Sequence, residues 1–361
     1  MTPEEGRALY PVLERFAYLQ AGSSGPLARP TIEAVEAERR RDVEEGRGSR
    51  AYVERTLEAR QRVRSLLAAE LGVDAAEVCL NRATTDGCNI VLLGLGLEPG
   101  DELVTTDSEH FGLLGALGAS AATVRVARLA GRPAADALEA IMAEVGPRTR
   151  LVAVSHVLWT NGHVVPVNEL RAALPEGVRL LVDGAQSVGA IPVDAAPFDF
   201  YTASCHKWLC CPDSTGALYV RDPEELAIRV PSYFSQASYD VDGSFAPKPG
   251  AARFDNSWLA PGLLAGIEAA VGAHPPWRFE RAAALAAHCR ERLGEHFELA
   301  TDPGQGTLVS FRAPGDAAEL VLRAYGAGVI VRDLPGTGLV RVSCGYWTNE
   351  DDIERLLAAI T

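Results

Sequence analysis

The chain of 361 residues is predicted to be an α/β protein, with a mostly parallel seven-stranded sheet covered by helices on both faces and a smaller α+β unit after it. Three observations carry this. The length suggests two domains rather than one. From Val78 to Val220 short apolar runs alternate with helix-like segments, the pattern of a parallel sheet. Beyond Leu263 the pattern changes to long helices with a few short strands. The expected division is an N-terminal segment, 1–20, packing with the small unit, a large domain over 21–255, and a small C-terminal domain over 256–361.

Residues 1–20 hold an acidic helix start and the aromatic residues Tyr10, Phe16 and Tyr18. AGSSGPLARP, with two Gly and two Pro, reads as a turn-rich loop. Thr31 is expected to cap a charged helix to about Glu45, and a second helix to run from about Val53 to Leu71 with Leu57, Val63, Leu66, Leu67 and Leu71 inward. Strands are expected at 78–81, 102–105, 122–126, 150–154, 179–182, 198–202 and 215–220, and ligands on such a sheet bind beyond the strands' carboxyl ends. Pro231 to Pro261 is less regular. Further on, helices are expected to about Val271, over Arg278–Leu293 and over Glu350–Ile360, with strands near 307–312 and 328–331.

Composition narrows the function. Hydrophobic residues at 47% and charged ones at 23% are ordinary for a soluble globular protein. A net charge of -14 argues against nucleic acid or an anionic membrane as partner. No apolar run is long enough to span a bilayer, and MTPEEGRALY lacks a basic stretch followed by an apolar one, so a cytoplasmic location is expected. Seven scattered cysteines imply no disulfide framework. Cys205, His206, Cys210 and Cys211 suggest a zinc site at first sight. Adjacent cysteines serve one tetrahedral ion poorly and no second ligand pair follows, so the expectation is small buried hydrophobes and no metal.

The chemistry centres on Val178–Val220. An apolar run, Leu180 to Val182, ends on Asp183, and an acid there is costly unless a cation or donor meets it. After the next strand come Ser204, His206 and Lys207, in a stretch from Leu180 to Val220 with no other Lys or Arg. A lysine after a buried strand is either a plain loop lysine or a chemically used one, because desolvation lowers its pKa and makes the amine a nucleophile toward carbonyls. Pyridoxal phosphate needs such a set: an amine for its aldehyde (Lys207), a carboxylate for its ring nitrogen (Asp183) and small donors for its phosphate (Ser204, His206). Gln186 is a candidate donor to the ring hydroxyl.

DGAQS followed by S-x-H-K-W resembles the class V aminotransferase family of fold-type I pyridoxal phosphate enzymes, the group that holds cysteine desulfurases and cyst(e)ine C–S lyases. The resemblance implies a fold-type I transferase, a small amino-acid substrate and a homodimer. It makes Thr84 and Thr85, at a helix start after strand 78–81, the phosphate cup, where an ordinary N-cap is the alternative. In DSEHFGLLGAL it implies that His110 stacks on the ring, where a neutral imidazole could also relay protons, with Phe111 as runner-up for the stacking and helix capping as the plainer role. SHVLWTNGH is similar to the lyase branch, since desulfurases carry Asn at the position of Trp159. Near the C-terminus it assigns the substrate carboxylate to Arg341 and a second arginine, Arg332, against the alternative of salt bridges with Asp333 or Asp351. Asn256 or Ser257 is implied to touch the partner subunit's phosphate. The function expected is a carbon–sulfur lyase on cystine, cysteine or a related thio-amino acid. A desulfurase, an aminotransferase, a cysteine-sulfoxide conjugate lyase and a silent binding protein remain as alternatives.

Overall fold

A computed structural model describes residues 1–361. Its large sheet has seven strands in the spatial order Val78–Asn81, Gly216–Val220, Phe200–Ser204, Arg179–Asp183, Thr149–Ser155, Glu102–Thr106 and Thr123–Ala127. Gly216–Val220 runs antiparallel to both neighbours, and the other pairs are parallel. Each strand lies within two residues of its expected position. The central strands are apolar without alternation because helices cover both faces, as at Leu180, Leu181 and Val182, each fully buried. Parallel pairing brings Thr106, Ser155, Asp183 and Ser204 to one rim, and Asn81 joins them through Gly216, which pairs antiparallel with both Asn81 and Ser204.

The small unit is a three-stranded antiparallel sheet, Leu308–Arg312, Leu339–Ser343 and Arg332–Leu334, packed against the helices Arg278–Gly294, Ala317–Gly326 and Glu350–Ile360. The N-terminal strand Ala17–Tyr18 pairs with Val329–Ile330, and Ala17 and Leu19 sit in this unit's core. No helix is long and apolar enough to cross a membrane.

Several expectations need correction. Thr31 does not cap its helix: the element starts at Arg29, Ala28 is its N-cap without a side-chain bond, and Thr31 is buried in the first turn behind Pro30. Pro30 fixes the helix entry where a hydroxyl cap was expected. The second helix starts earlier, at Arg50, capped by Ser49, and Leu57 is 45% exposed rather than inward. The division at 256 cuts away the helix Pro261–Gly272, whose Leu264, Ile267 and Ala270 join the large core and which packs on Arg29–Glu45 and Arg50–Leu71. The tract after Pro231 holds a hairpin, Gln236–Tyr239 with Phe245–Pro247. The short helix Ala317–Gly326 was not expected, whereas Ala137–Met142 and Val167–Ala173 are among the helical segments that alternate with the strands.

Candidate active site

Asp183 and Lys207 face one another electrostatically across the rim. Asp183 ends its strand nearly buried; its Oδ1 accepts from the Ala185 N–H at 2.8 Å, and no hydrogen bond meets Oδ2. Burial raises its pKa, against the pull of Lys207 and the Ala185 N–H. Lys207 follows Phe200–Ser204 and makes no hydrogen bond through its amine. Burial lowers its pKa to about 8, opposed by Asp183 and assisted by Arg341 and Arg332. The turn that holds it closes through Cys210, whose N–H donates to Lys207 O at 3.1 Å and whose φ of 53° lies in the left-handed region. A non-glycine residue there marks a constrained turn next to the Lys207 amine.

At the adjoining edge the helix Thr84–Gly94 points its N-terminus at the rim. The Thr84 N–H donates to Ser204 Oγ at 3.0 Å, and Ser204 Oγ–H donates back to Thr84 Oγ1 at 3.2 Å, so the two candidate phosphate donors brace each other. Thr85 is exposed beside them. His206 keeps a buried Nδ1 without a partner, and burial, then Lys207, lowers its pKa. Gly87 lets this helix sit on the sheet: a Cβ there would lie 2.7 Å from Thr202 Cγ2.

His110 is the N-cap of Phe111–Gly118, its Nδ1 accepting from the Gly112 N–H at 3.1 Å. That bond places the ring proton on Nε2. Burial, then Lys207 and the two arginines, lowers its pKa to about 4, which keeps the imidazole neutral. The same ring packs 3.9 Å from Phe111 and edge-on to Trp159 at 5.1 Å, so the capping role and the aromatic wall coexist. Beneath lies Glu109, unnoticed in the sequence, accepting from Thr106 Oγ1 at 2.8 Å, from the Ser155 N–H at 3.0 Å and from the Ser155 hydroxyl. Burial raises its pKa to about 7 although these bonds oppose it. A second unnoticed chain links His156 Nδ1 to Tyr201 OH at 2.7 Å and Tyr201 OH to Ser187 Oγ at 2.6 Å.

Arg332 and Arg341 are directly opposite each other across two antiparallel strands. Neither pairs with Asp333 or Asp351. Arg341, 1% exposed, donates from Nη1 to Trp159 O at 2.9 Å and leaves Nε buried without a partner. Its pKa is lowered by burial and by Arg332. Gln186 donates to Gly22 O at 2.8 Å and accepts from Trp208 Nε1 at 2.9 Å, which leaves one amide hydrogen free for a ligand.

The site is thus a set of groups lacking counter-groups: a carboxylate oxygen without a cation, a desolvated amine, an unpartnered imidazole nitrogen and two guanidinium groups without an anion. Pyridoxal phosphate fits the first three, through a basic ring nitrogen, an aldehyde and a phosphate. The arginine pair fits a carboxylate.

The profile of the class-V aminotransferase family matches residues 17–236. Isopenicillin N epimerase of Streptomyces clavuligerus is 30% identical, the alignment covering 99% of this chain and 97% of that one. A cysteine desulfurase of Dickeya dadantii is 31% identical over 76% of this chain and 65% of its own. Among solved structures, the cystine C–S lyase C-DES in complex with its product cysteine persulfide superposes with a TM-score of 0.89 at 28% identity, over 97% of this chain and 98% of that one. A C-DES mutant with glycine covalently linked to pyridoxal phosphate gives 0.90 at 28% identity, over 98% of both chains.

Proposed function

Since the chain belongs to the class-V aminotransferase family of pyridoxal phosphate-dependent enzymes, we propose that it is a carbon–sulfur lyase that eliminates the β-sulfur of cystine, cysteine or a related thio-amino acid. The observation that carries this reading is the absence of a usable thiol. A sulfur transferase of the family needs a cysteine on a mobile loop before the arginine strand. Here Leu334 pairs with Leu339 in a tight hairpin, and no cysteine lies between Arg332 and Arg341. All seven cysteines are buried, and the Cys344 thiol is held well above its ordinary pKa by its contact with Cys289 and by burial.

Lys207, Asp183, Gln186, His110, Thr84, Thr85, Ser204 and His206 would hold the cofactor. When bound, it supplies an electron sink for the α-carbon of an amino acid. Arg341 and Arg332 bind the substrate carboxylate and fix the α-carbon beside Lys207. The Lys207 amine, neutral above about pH 8, takes the α-proton. Burial raises the Asp183 pKa while the nearby amine and the Ala185 N–H favour the carboxylate, and that carboxylate would stabilise a proton on the ring nitrogen. The neutral His110 ring lines the cleft without adding charge. Loss of the α-proton and rupture of the Cβ–S bond give an enamine that water converts to pyruvate and ammonia; the sulfur leaves as sulfide or, from cystine, as cysteine persulfide.

The epimerase matched over nearly its full length favours a second reading, in which the α-proton returns to the opposite face and no C–S bond breaks. A paired assay separates the chemistries. With Cys205, Cys210, Cys211 and Cys344 changed to Ser, cystine should still yield pyruvate. Alanine as main product, lost with one of those thiols, would mean sulfur transfer through the protein, and racemised amino acid without pyruvate would mean epimerisation.

The working unit in this proposal is a homodimer. Asn256 Oδ1 and Ser257 Oγ are buried without partners beside Asp255, and Trp258 stays 44% exposed while stacked on Tyr52. A second copy covers this face and receives Asn256 or Ser257 near its phosphate site. The seven free thiols accord with a reducing, cytoplasmic setting.

A further inference from the structure

The loop AGSSGP places one side chain between the two arginines. Ser23 Oγ accepts from Arg332 Nη1 at 2.9 Å and from Arg341 Nη2 at 3.2 Å. A serine hydroxyl has two lone pairs and one hydrogen. With both lone pairs filled by guanidinium donors, its remaining capacity is the O–H. Ser23 Oγ donates to no protein acceptor, and neither arginine is paired with a carboxylate: Arg341 donates elsewhere only to Trp159 O and keeps its buried Nε unpartnered. The hydroxyl is therefore aimed by its own acceptor bonds at whatever anion enters the cleft.

The residues around Ser23 leave it little freedom. The Gly22 N–H donates to Ser343 Oγ at 3.2 Å, Gly22 O accepts from Gln186 Nε2 at 2.8 Å, and the Gly25 N–H donates to His206 O at 2.8 Å. Gly22 itself lies against the arginine, since a Cβ there would be 2.8 Å from Arg341 Nη2. Ser23 remains half-buried, within reach of a ligand. The loop thus ties the arginine strands to the segments bearing Gln186 and Lys207.

We propose that Ser23 is a third carboxylate-binding residue: its hydroxyl donates to one substrate carboxylate oxygen, while Arg332 acts in part through it by fixing and polarising the O–H. This rests on the reading that the site takes an α-amino acid, and is independent of which bond is then broken. The step is a binding event, with no bond made or lost in the protein.

The test is an absorbance titration of the holoenzyme with glycine and with glycine methyl ester. Neither ligand has a β-carbon from which a group could be eliminated, so a failure to release pyruvate from cystine would sink the lyase reading and leave this measurement intact. Ser23→Ala should weaken glycine roughly tenfold or more while changing the ester less than about twofold, since a hydrogen bond to a charged group is lost only for the acid. Ser23→Thr, which retains the hydroxyl, should stay near wild type with glycine. Arg332→Ala combined with Ser23→Ala should cost less than the product of the single effects, because the two act on one oxygen. Equal weakening of both ligands in Ser23→Ala, no weakening of glycine, a Thr variant as poor as Ala, or independent losses with Arg332 overturns the proposal.

Discussion

Lys207 and Lys248 are the only lysines in the chain, and only Lys207 lies beside the buried acid Asp183. Borohydride reduction of the yellow holoenzyme should therefore leave the cofactor on the peptide containing residue 207, and Lys207→Ala should lose both that adduct and turnover. A reducible adduct surviving in that variant would remove the assignment. Asp183→Ala should lower turnover by about 100-fold or more, as expected when a fixed charge that stabilises the reacting system is deleted. Normal turnover would make the acid structural. Lys207 and Asp183 were legible in the sequence because a charge set in an apolar frame is too costly to be incidental, and Arg341 through the family resemblance. Ser23 and Glu109 were not. A serine in a turn-rich loop and a glutamate next to a histidine look ordinary until their partners arrive, and those lie 309 residues away for Ser23 and 46 for Glu109.

At the scale of elements, the helix Thr84–Gly94 depends on the missing side chain of Gly87. Gly87→Ala puts a methyl 2.7 Å from Thr202 Cγ2, so the helix start must lift from its strand. The expected cost is about 1–3 kcal/mol with weaker cofactor binding; equilibrium unfolding and a cofactor titration measure both, and an unchanged cofactor affinity would separate the helix start from the site. Arg50–Leu71 is tied in a different way. Arg60 and Arg64 meet Asp255, all nearly buried, at 2.7 Å each, and the Leu80 N–H donates to the same carboxylate at 2.9 Å. Asp255→Ala should cost about 3–5 kcal/mol by stranding two buried cations, whereas a loss under about 1 kcal/mol in denaturant melts would show that water reaches them. The sheet strands were legible because continuous apolar runs have few other uses. The hairpin Gln236–Tyr239 with Phe245–Pro247 was not, since its residues are mostly exposed and show no apolar face.

In the whole molecule, pH acts through groups that folding keeps out of water. His274 is half-buried with both ring nitrogens out of solvent and unpartnered, and burial, then Arg278, lowers its pKa to about 3. The unfolded chain, with an ordinary value near 6.5, binds the proton that the folded chain refuses. Stability from this residue is therefore whole above about pH 6.5 and falls as pH drops toward 3, by roughly 3 kcal/mol at pH 4. His110 and His156, each lowered to about 4, act in the same direction, and Glu109, raised to about 7, acts against them. His274→Phe isolates one contribution: its melting temperature should fall less than that of wild type between pH 6.5 and 4, and parallel curves would contradict the assignment. The arginine clamp has a different consequence, for protein synthesis. Ser23 leaves the ribosome 309 residues before Arg332, and Ala17–Tyr18 likewise long before Val329–Ile330, the strand it pairs with. A nascent chain can thus complete the Lys207 and Asp183 region long before it has any means of selecting a carboxylate. Interrupted translation would release a polypeptide carrying a reactive amine without its substrate filter, a product that proteolysis has reason to remove.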